Sequence, residues 1–402
     1  MIRHLLKLVW HRKRANALVM AEIFISFLVV FAVATIAAMA IGGWNRPLGF
    51  DWHDVWVIAL DTPPASHEGM LPLTSDDPSR VRIAQILRET KSFPQVVDAA
   101  VSETPAYGNS ESVGRWDRHG RTVELRRDNV SDDFANVMRL KLARGRWFAR
   151  TDDALGYVPV VIDRDLAREF FGDDDPIGQK FDEYDNVVFR VVGVVEPYRK
   201  SGELSGPGVN MAFFRKSLDK PNAEIPNQVV LRVRPGTPAA FEEELTRRLH
   251  AVAPDIPMRV RRMDRMRELG LRLRLMPMVV AAIVALFFIT MVALGLTGVL
   301  WQTVTRRTRE LGLRRALGAS GAGVRAQVLM EVALVATIAL IAGVVIVAQL
   351  PILGIFRVVT PEAFATGLAC ALAMIYGLTV LCGLYPGWLA SRVQPAQALH
   401  YE

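Results

Sequence analysis

Four stretches without a single Asp, Glu, Lys or Arg constrain this chain more than anything else in it: residues 23–43, 275–304, 332–356 and 363–391. Each meets the roughly 20 apolar residues that a helix needs to cross a hydrocarbon layer about 30 Å thick. A backbone inside lipid must satisfy its own N–H and C=O groups, and a single helix does so. One stretch lies near the start and three lie in the last third. The fold class that follows is a membrane protein of four transmembrane α-helices, one plus three, with a large α+β domain inserted between the first and second spans. The 51% hydrophobic content agrees, and the formal charge of +7 reads as topology, because basic residues crowd the ends of the spans. No interleaving of aromatic and basic residues offers a stacking platform, so no nucleic-acid partner is expected.

Arg3, Lys7, Arg12, Lys13 and Arg14 precede the first span, and a short arginine-rich stretch separates the second from the third. Cytoplasmic loops carry such an excess, so both are placed in the cytoplasm and the inserted domain outside it. Arg259, Arg261, Arg262, Arg265, Arg267, Arg272 and Arg274 oppose that orientation. Long domains translocate largely regardless of charge, and the orientation is kept. Ala38-Met39-Ala40 resembles a cleavage site, but the apolar stretch exceeds the length of a signal peptide and is read as an uncleaved anchor. The expected order is a basic tail (1–17), span 1 (18–43), the outer domain (44–263), a stalk with span 2 (264–304), a polar cytoplasmic segment (305–323), span 3 (324–350), an outer loop (351–362), span 4 (363–386) and a tail (387–402).

In the outer domain apolar residues come in short alternating groups. Residues 54–60 and 96–101 read as strands flanking a helix that Ser79 caps and that gathers Ile83, Ile86 and Leu87 on one face. A second such unit has strands at 228–233 and 258–260 around a helix opened by Thr237 and Pro238, with Phe241, Leu245 and Leu249 at four-residue spacing. These halves, 50–105 and 226–262, are expected to share one sheet around an inserted subdomain, 106–225, with strands at 121–126 and 187–195 and helices at 131–137 and 164–171. Met266, Leu269, Leu273 and Met276 form a helical seam leading into the second span, and Pro277 is a candidate kink.

The polar segment is TRRTRELGLRRALGASGAG at 305–323. Glu310 and Arg314 stand four apart in the favourable orientation, and Leu313, Ala316 and Leu317 gather on one face of a short amphipathic helix. Gly318 suits a left-handed C-cap, and Ser320 suits the N-cap of the next helix. Such a segment either docks a partner or touches anionic headgroups. Glu22 and Glu331 are candidate intramembrane partners: each either pairs with or anchors this segment, or sits at headgroup depth. Ala34, Ala38 and Gly42 form a small-residue stripe suited to close helix approach. Cys370 and Cys382 share one apolar stretch, where twelve helical residues set them about 18 Å apart, too far to bond.

The acidic run at 173–175 reads as a solvated turn ahead of Pro176. The seven histidines show no metal spacing, and neither a G-x-S-x-G elbow nor a G-x-x-x-x-G-K-[ST] phosphate loop occurs. No catalytic residue, metal or cofactor is expected.

The peptide ELGLRRALGAS at 310–320 resembles the cytoplasmic coupling segment of ABC-transporter permeases of the MacB/FtsX type. GRWF at 145–148, VVIDRDLAR at 160–168, DPIG at 175–178 and VVGVV at 191–195 resemble the periplasmic domain of that family, and YPGWLASRVQPAQAL at 385–399 its C-terminal ending. The resemblance implies a non-catalytic permease in a bacterial inner membrane, dimerising with an identical or related chain. It implies docking of two ATPase copies through Arg306, Arg307, Glu310, Leu311, Leu313, Arg314, Arg315, Leu317 and Gly318, contact with membrane lipid and, in an exporter, a periplasmic adaptor. With Met1 almost at the membrane, the ATPase is expected on a separate chain. Within the family the role is export or efflux, lipoprotein extraction, or control of cell-wall hydrolases. The size of the outer domain favours export. A rival from another class is a membrane-anchored sensor that signals through the arginine-rich segment.

Overall fold

The computed structural model describes residues 13–60, 78–108, 112–118, 121–184, 186–206, 210–217, 228–306, 320–357 and 359–391. The chain forms two compact units, one of Met1–Gly42 with Leu275–Glu402 and one of Gly43–Arg274.

The helices are α1 (Lys13–Trp44), α2 (Pro78–Ser92), α3 (Phe134–Met138), α4 (Arg164–Phe171), α5 (Phe241–Val252), α6 (Met263–Arg306), α7 (Gly321–Val347) and α8 (Pro361–Ser391). Four of them, α1, α6, α7 and α8, are long and apolar enough to cross a membrane. In the first unit they share one core: Ile23 and Phe27 of α1 pack with Leu296 and Leu300 of α6, Ala336 and Leu340 of α7, and Ala371 and Ile375 of α8. One approach is closer than any side chain allows. A Cβ on Gly367 of α8 would stand 2.8 Å from both the backbone N and Cα of Thr35 in α1. At Gly42, the last residue of the small-residue stripe, a Cβ would meet nothing within 4 Å.

The second unit is built on strands β1 (Val55–Leu60), β2 (Val96–Ser102), β3 (Val113–Arg118), β4 (Arg121–Val130), β5 (Leu142–Gly145), β6 (Val158–Asp163), β7 (Lys180–Tyr184), β8 (Val187–Val195), β9 (Asn210–Arg215), β10 (Gln228–Val233) and β11 (Met258–Arg262). They form a sheet in the order β11-β1-β10-β2-β4-β9-β6-β8-β5, with β3 beside β4 and β7 beside β8. The strands of the two outer halves alternate in this order, and β4, β9, β6 and β8 continue it. A single Cα pairing, Ser102 with Val130, joins the two parts.

Period-two alternation sorts the side chains. Trp56, Ile58 and Leu60 turn to one face, where Ile83 and Ile86 of α2 and Phe241, Leu245 and Leu249 of α5 cover them. Val55 and Val57 turn to the other, beside Phe134 of α3, Tyr198 and Phe213. Burying a side chain such as Ile83 fully contributes roughly 1.5–3 kcal/mol, so α2 is held by packing more than by helix propensity. In the second part, α4 lays Leu166, Phe170 and Phe171 onto Val160, Ile162 and Val194.

Several helix ends differ from the sequence reading. Helix α2 already begins at Pro78, so Ser79 lies inside it rather than capping it. The helix expected from Ser131 is confined to α3, because Asp132 and Asp133 turn outward to pair with Arg215 and Lys91. Thr237 and Pro238 lie in turns ahead of α5, which starts at Phe241.

Candidate coupling site

Arg306 closes α6 and Ser320 opens α7, where its hydroxyl accepts from the Gly323 N–H at 3.2 Å as the cap requires. Arg307, Glu310, Leu311, Leu313, Arg314, Arg315, Leu317 and Gly318 lie outside the described residues. Glu331 sits one turn above Gln327 on α7, with 3.4 Å between their polar atoms. The Glu22 carboxylate rests against Gly295 of α6 and has no hydrogen-bond or ion-pair partner among the described residues. Cys370 and Cys382 are free thiols. Asp175, in the acidic turn, pairs with Arg144 at 2.9 Å and accepts from the Ile177 N–H.

At the other end of the apolar helices the structure assembles a site that sequence reading missed. The loop after β8, residues 196–205, holds both segments that lead into the first and second spans. Arg199 donates to the carbonyls of Gly43 (2.6 Å) and Arg46 (3.3 Å) on one side, and to those of Glu203 (2.7 Å) and Ser205 (3.2 Å) within the loop itself. Burial pulls its guanidinium pKa below the usual value, while the four carbonyls accept its N–H hydrogen bonds. Gly43 is tight: a Cβ there would stand 2.5 Å from the Glu203 carbonyl oxygen.

From the same loop, the buried Glu203 carboxylate pairs with Arg267 of α6 at 2.6 Å and accepts from the Tyr107 hydroxyl at 3.3 Å. Arg267 is further fixed by two rings, with its guanidinium 4.6 Å from the centre of Trp52 and 5.8 Å from that of Trp44. Arg274 donates to the carbonyl of Ser201. Burial, reinforced by Glu203, keeps the Tyr107 phenol protonated well beyond its ordinary range, so it stays a donor. The backbone at Tyr107 has φ +58°, a left-handed conformation that a bulky residue adopts only when its surroundings impose it. Charged groups thus join residues 43–46 and the start of α6 to one loop of the sheet.

Neither Arg199 nor Glu203 carries a spacing signal. The partners that tie them to the helix ends, Gly43 and Arg267, lie 156 and 64 residues away, and only the fold brings them together.

The described residues contain no group of three or more His, Cys, Asp or Glu suited to a metal.

Comparison with known proteins gives two matches in sequence order. Residues 17–248 match the MacB-like periplasmic core domain, and residues 282–395 match the FtsX-like permease C-terminal domain. Among curated relatives, the macrolide export ATP-binding/permease protein MacB of Chlorobium luteolum is 28% identical over 68% of this chain and 42% of its own length. The pyoverdine export ATP-binding/permease protein PvdT of Pseudomonas savastanoi pv. phaseolicola is 26% identical over 67% of this chain and 42% of its own. MacB of Bordetella avium is 24% identical over 93% of this chain and 57% of its own. The chain thus spans about half the length of the curated relatives it matches. The crystal structure of the periplasmic region of MacB from Actinobacillus actinomycetemcomitans aligns over 56% of this chain and 96% of its own, with 13% identity and a TM-score of 0.37. With one model covering more than half of its residues and the other its C-terminal apolar helices, this chain belongs to the MacB/FtsX family of ABC-transporter permeases, as a multi-pass membrane protein with a periplasmic domain.

Proposed function

We propose that the chain is a permease that converts ATP hydrolysis by an ABC ATPase into movement of its periplasmic domain, driving export or efflux across a bacterial inner membrane. The observation that carries the mechanical part is the clamp at residues 196–205, which binds the outer ends of α1 and α6 to the sheet. A helix displaced at its cytoplasmic end would pull on this loop directly, because the bonds from Arg199 to Gly43 and Arg46 and from Arg267 to Glu203 hold only while those helix ends are in place. The 402 residues hold no phosphate-binding loop, so the proposed coupling requires nucleotide sites outside them, on two copies of an ATPase. The docking surface proposed is the segment from Arg306 to Gly318, with Leu313 and Leu317 as the apolar positions offered to the ATPase and Glu22 and Glu331 as its candidate intramembrane partners. Two permease chains, identical or related, are expected per complex, with a periplasmic adaptor as a further partner. The export names of the relatives favour this role over lipoprotein extraction or control of cell-wall hydrolases.

Gentle purification of the full chain from its host, followed by identification of what accompanies it, tests the reading. An ATPase with intact nucleotide motifs is expected. A kinase, or no partner, would favour a membrane-anchored sensor instead.

A further inference from the structure

The strand β11 forms one edge of the sheet, with β1 on its inner side, and runs directly into α6 at Met263. This junction concentrates arginine, and most of its guanidinium groups are engaged. Arg262 holds Asp264 at 2.6 Å, Arg267 holds Glu203 at 2.6 Å, and Arg272 holds Glu268 at 2.5 Å. Arg261 and Arg265 differ: neither side chain has a hydrogen-bond or ion-pair partner among the described residues, and both are exposed. They face the same cavity, of about 460 Å3, at the start of α6.

Besides Arg262, Glu242 and Tyr107, the lining carries an apolar stripe. Arg265, Leu269 and Leu273 stand at successive four-residue steps, hence on one face of α6, with Met266 beside them. Leu269 and Leu273 are each 59% exposed. Cationic groups thus stand at one end of the cavity and bare leucines at the other. Three arginines line it against one carboxylate, Glu242, so its field favours an anion. Two features fix its level. Leu273 stands two residues before the charge-free stretch that begins at Leu275. Arg267, in the same turn as Arg265, lies over the ring of Trp44, the last residue of the first apolar helix. Tryptophan is enriched where a membrane meets water.

We propose that this cavity binds an anionic phospholipid of the outer leaflet, its phosphate held between Arg261 and Arg265 and an acyl chain laid along Leu269 and Leu273. The guanidinium fork matches phosphate oxygens in pairs and is more weakly hydrated than an ammonium, so it pays little to leave water for a headgroup. Tyr107 lines the same cavity and is bonded to the clamp through Glu203, so an occupied site borders the linkage between helix and sheet. The inference concerns a binding site of this chain and stands whether or not the cargo is an exported one.

The test uses the full chain in neutral detergent, titrated calorimetrically with dihexanoyl-phosphatidylglycerol, dihexanoyl-phosphatidylcholine and glycerol 3-phosphate. The glycerol lipid should bind at least tenfold more tightly than either of the others. The double substitution Arg261→Gln with Arg265→Gln should weaken it at least tenfold, Leu273→Gln should weaken it as well, and Arg261→Lys with Arg265→Lys should retain most of it. Equal binding of the choline lipid, or undiminished binding by the glutamine variant, would overturn the proposal. Glycerol 3-phosphate binding as tightly as the lipid would mean a site for free phosphate rather than for lipid. If Leu273→Cys, with Cys370 and Cys382 changed to Ser, cross-links two chains and the lipid does not compete, the face is an interface between copies and the lipid assignment fails.

Discussion

Glu203 is the residue through which the clamp is most easily broken. Its side chain is 8% exposed and that of Arg267 is 22% exposed, so substitution leaves a partly buried guanidinium without its counter-ion. We expect Glu203→Gln to cost about 1–3 kcal/mol locally while Arg267 keeps its place on the two tryptophan rings. In proteoliposomes with the partner ATPase, nucleotide hydrolysis should persist while transport falls at least several-fold. Full transport by this variant would remove the clamp from the mechanism. The docking segment gives a contrasting expectation. If the segment docks as proposed, Leu313→Asp places an unpaired ion in an interface and should cost several kcal/mol of ATPase binding. Reversing Arg306 or Arg307 should do less, since rim charges act mainly on association rate and salt dependence. ATPase binding measured for both kinds of variant in one bilayer decides the order, and the reverse order would mark the segment as a lipid contact. Among single residues, Ser320 was legible because an N-cap is a local event, and its hydroxyl does meet Gly323. Arg199 and Glu203 were not, because a charge that pairs across more than sixty residues looks like any solvated charge.

Elements were legible wherever one face of a periodic pattern had to be buried. Ile83 and Ile86 of α2, and Phe241, Leu245 and Leu249 of α5, occupy the positions their spacing implied. Helix starts were less so, because turn residues compete for the same signals: Pro238 satisfies a turn as readily as a first helical position. Contacts between apolar helices were the least legible. A close approach is made at Gly367 against Thr35, a pair outside the stripe of Ala34, Ala38 and Gly42. Two substitutions separate these surfaces. Gly367→Ala must push α1 and α8 apart and should lower the thermal midpoint of the purified protein by several degrees. Gly42→Ala, in open space at the end of α1, should be neutral or raise stability by up to about 1 kcal/mol through helix propensity. A neutral Gly367→Ala in thermal unfolding would place the close packing elsewhere.

At the scale of the whole molecule, the one-plus-three arrangement was readable because hydrophobic length acts without tertiary context. The sheet order was not, since β10 and β11 return from far along the chain to flank β1, and nothing local encodes that pairing. Orientation follows from basic flanks, and reporters fused within residues 44–274 should signal from outside the cytoplasm, those at Thr305 or after Tyr401 from inside it. A cytoplasmic signal from the large domain would invert the topology.

The same domain carries a pH dependence of predictable sign. Asp163 ends β6 and caps α4, its Oδ1 accepting from the Leu166 N–H at 2.8 Å, while its buried Oδ2 has no hydrogen-bond partner among the described residues. Burial raises its pKa from 3.8 to about 7, opposed by the Leu166 bond and reinforced by Asp165. The folded state therefore holds a proton that the unfolded state has released, and stability falls as pH rises between those two values. The contribution is fully present below about pH 4 and gone above about pH 7, where an ionised Asp163 costs up to about 4 kcal/mol. Asp163→Asn keeps the cap acceptor and removes the charge. At pH 8 it should strengthen hydrogen-exchange protection of β6 and β9 in the full chain, corrected for intrinsic rates, and flatten its dependence between pH 4 and 7. Asp128, pushed up to about 6 by burial, has the same sign and should account for the slope that remains. Protection that rises with pH in the wild type, or an asparagine variant less stable at pH 8, would mean that Asp163 is paired and ionised in the fold.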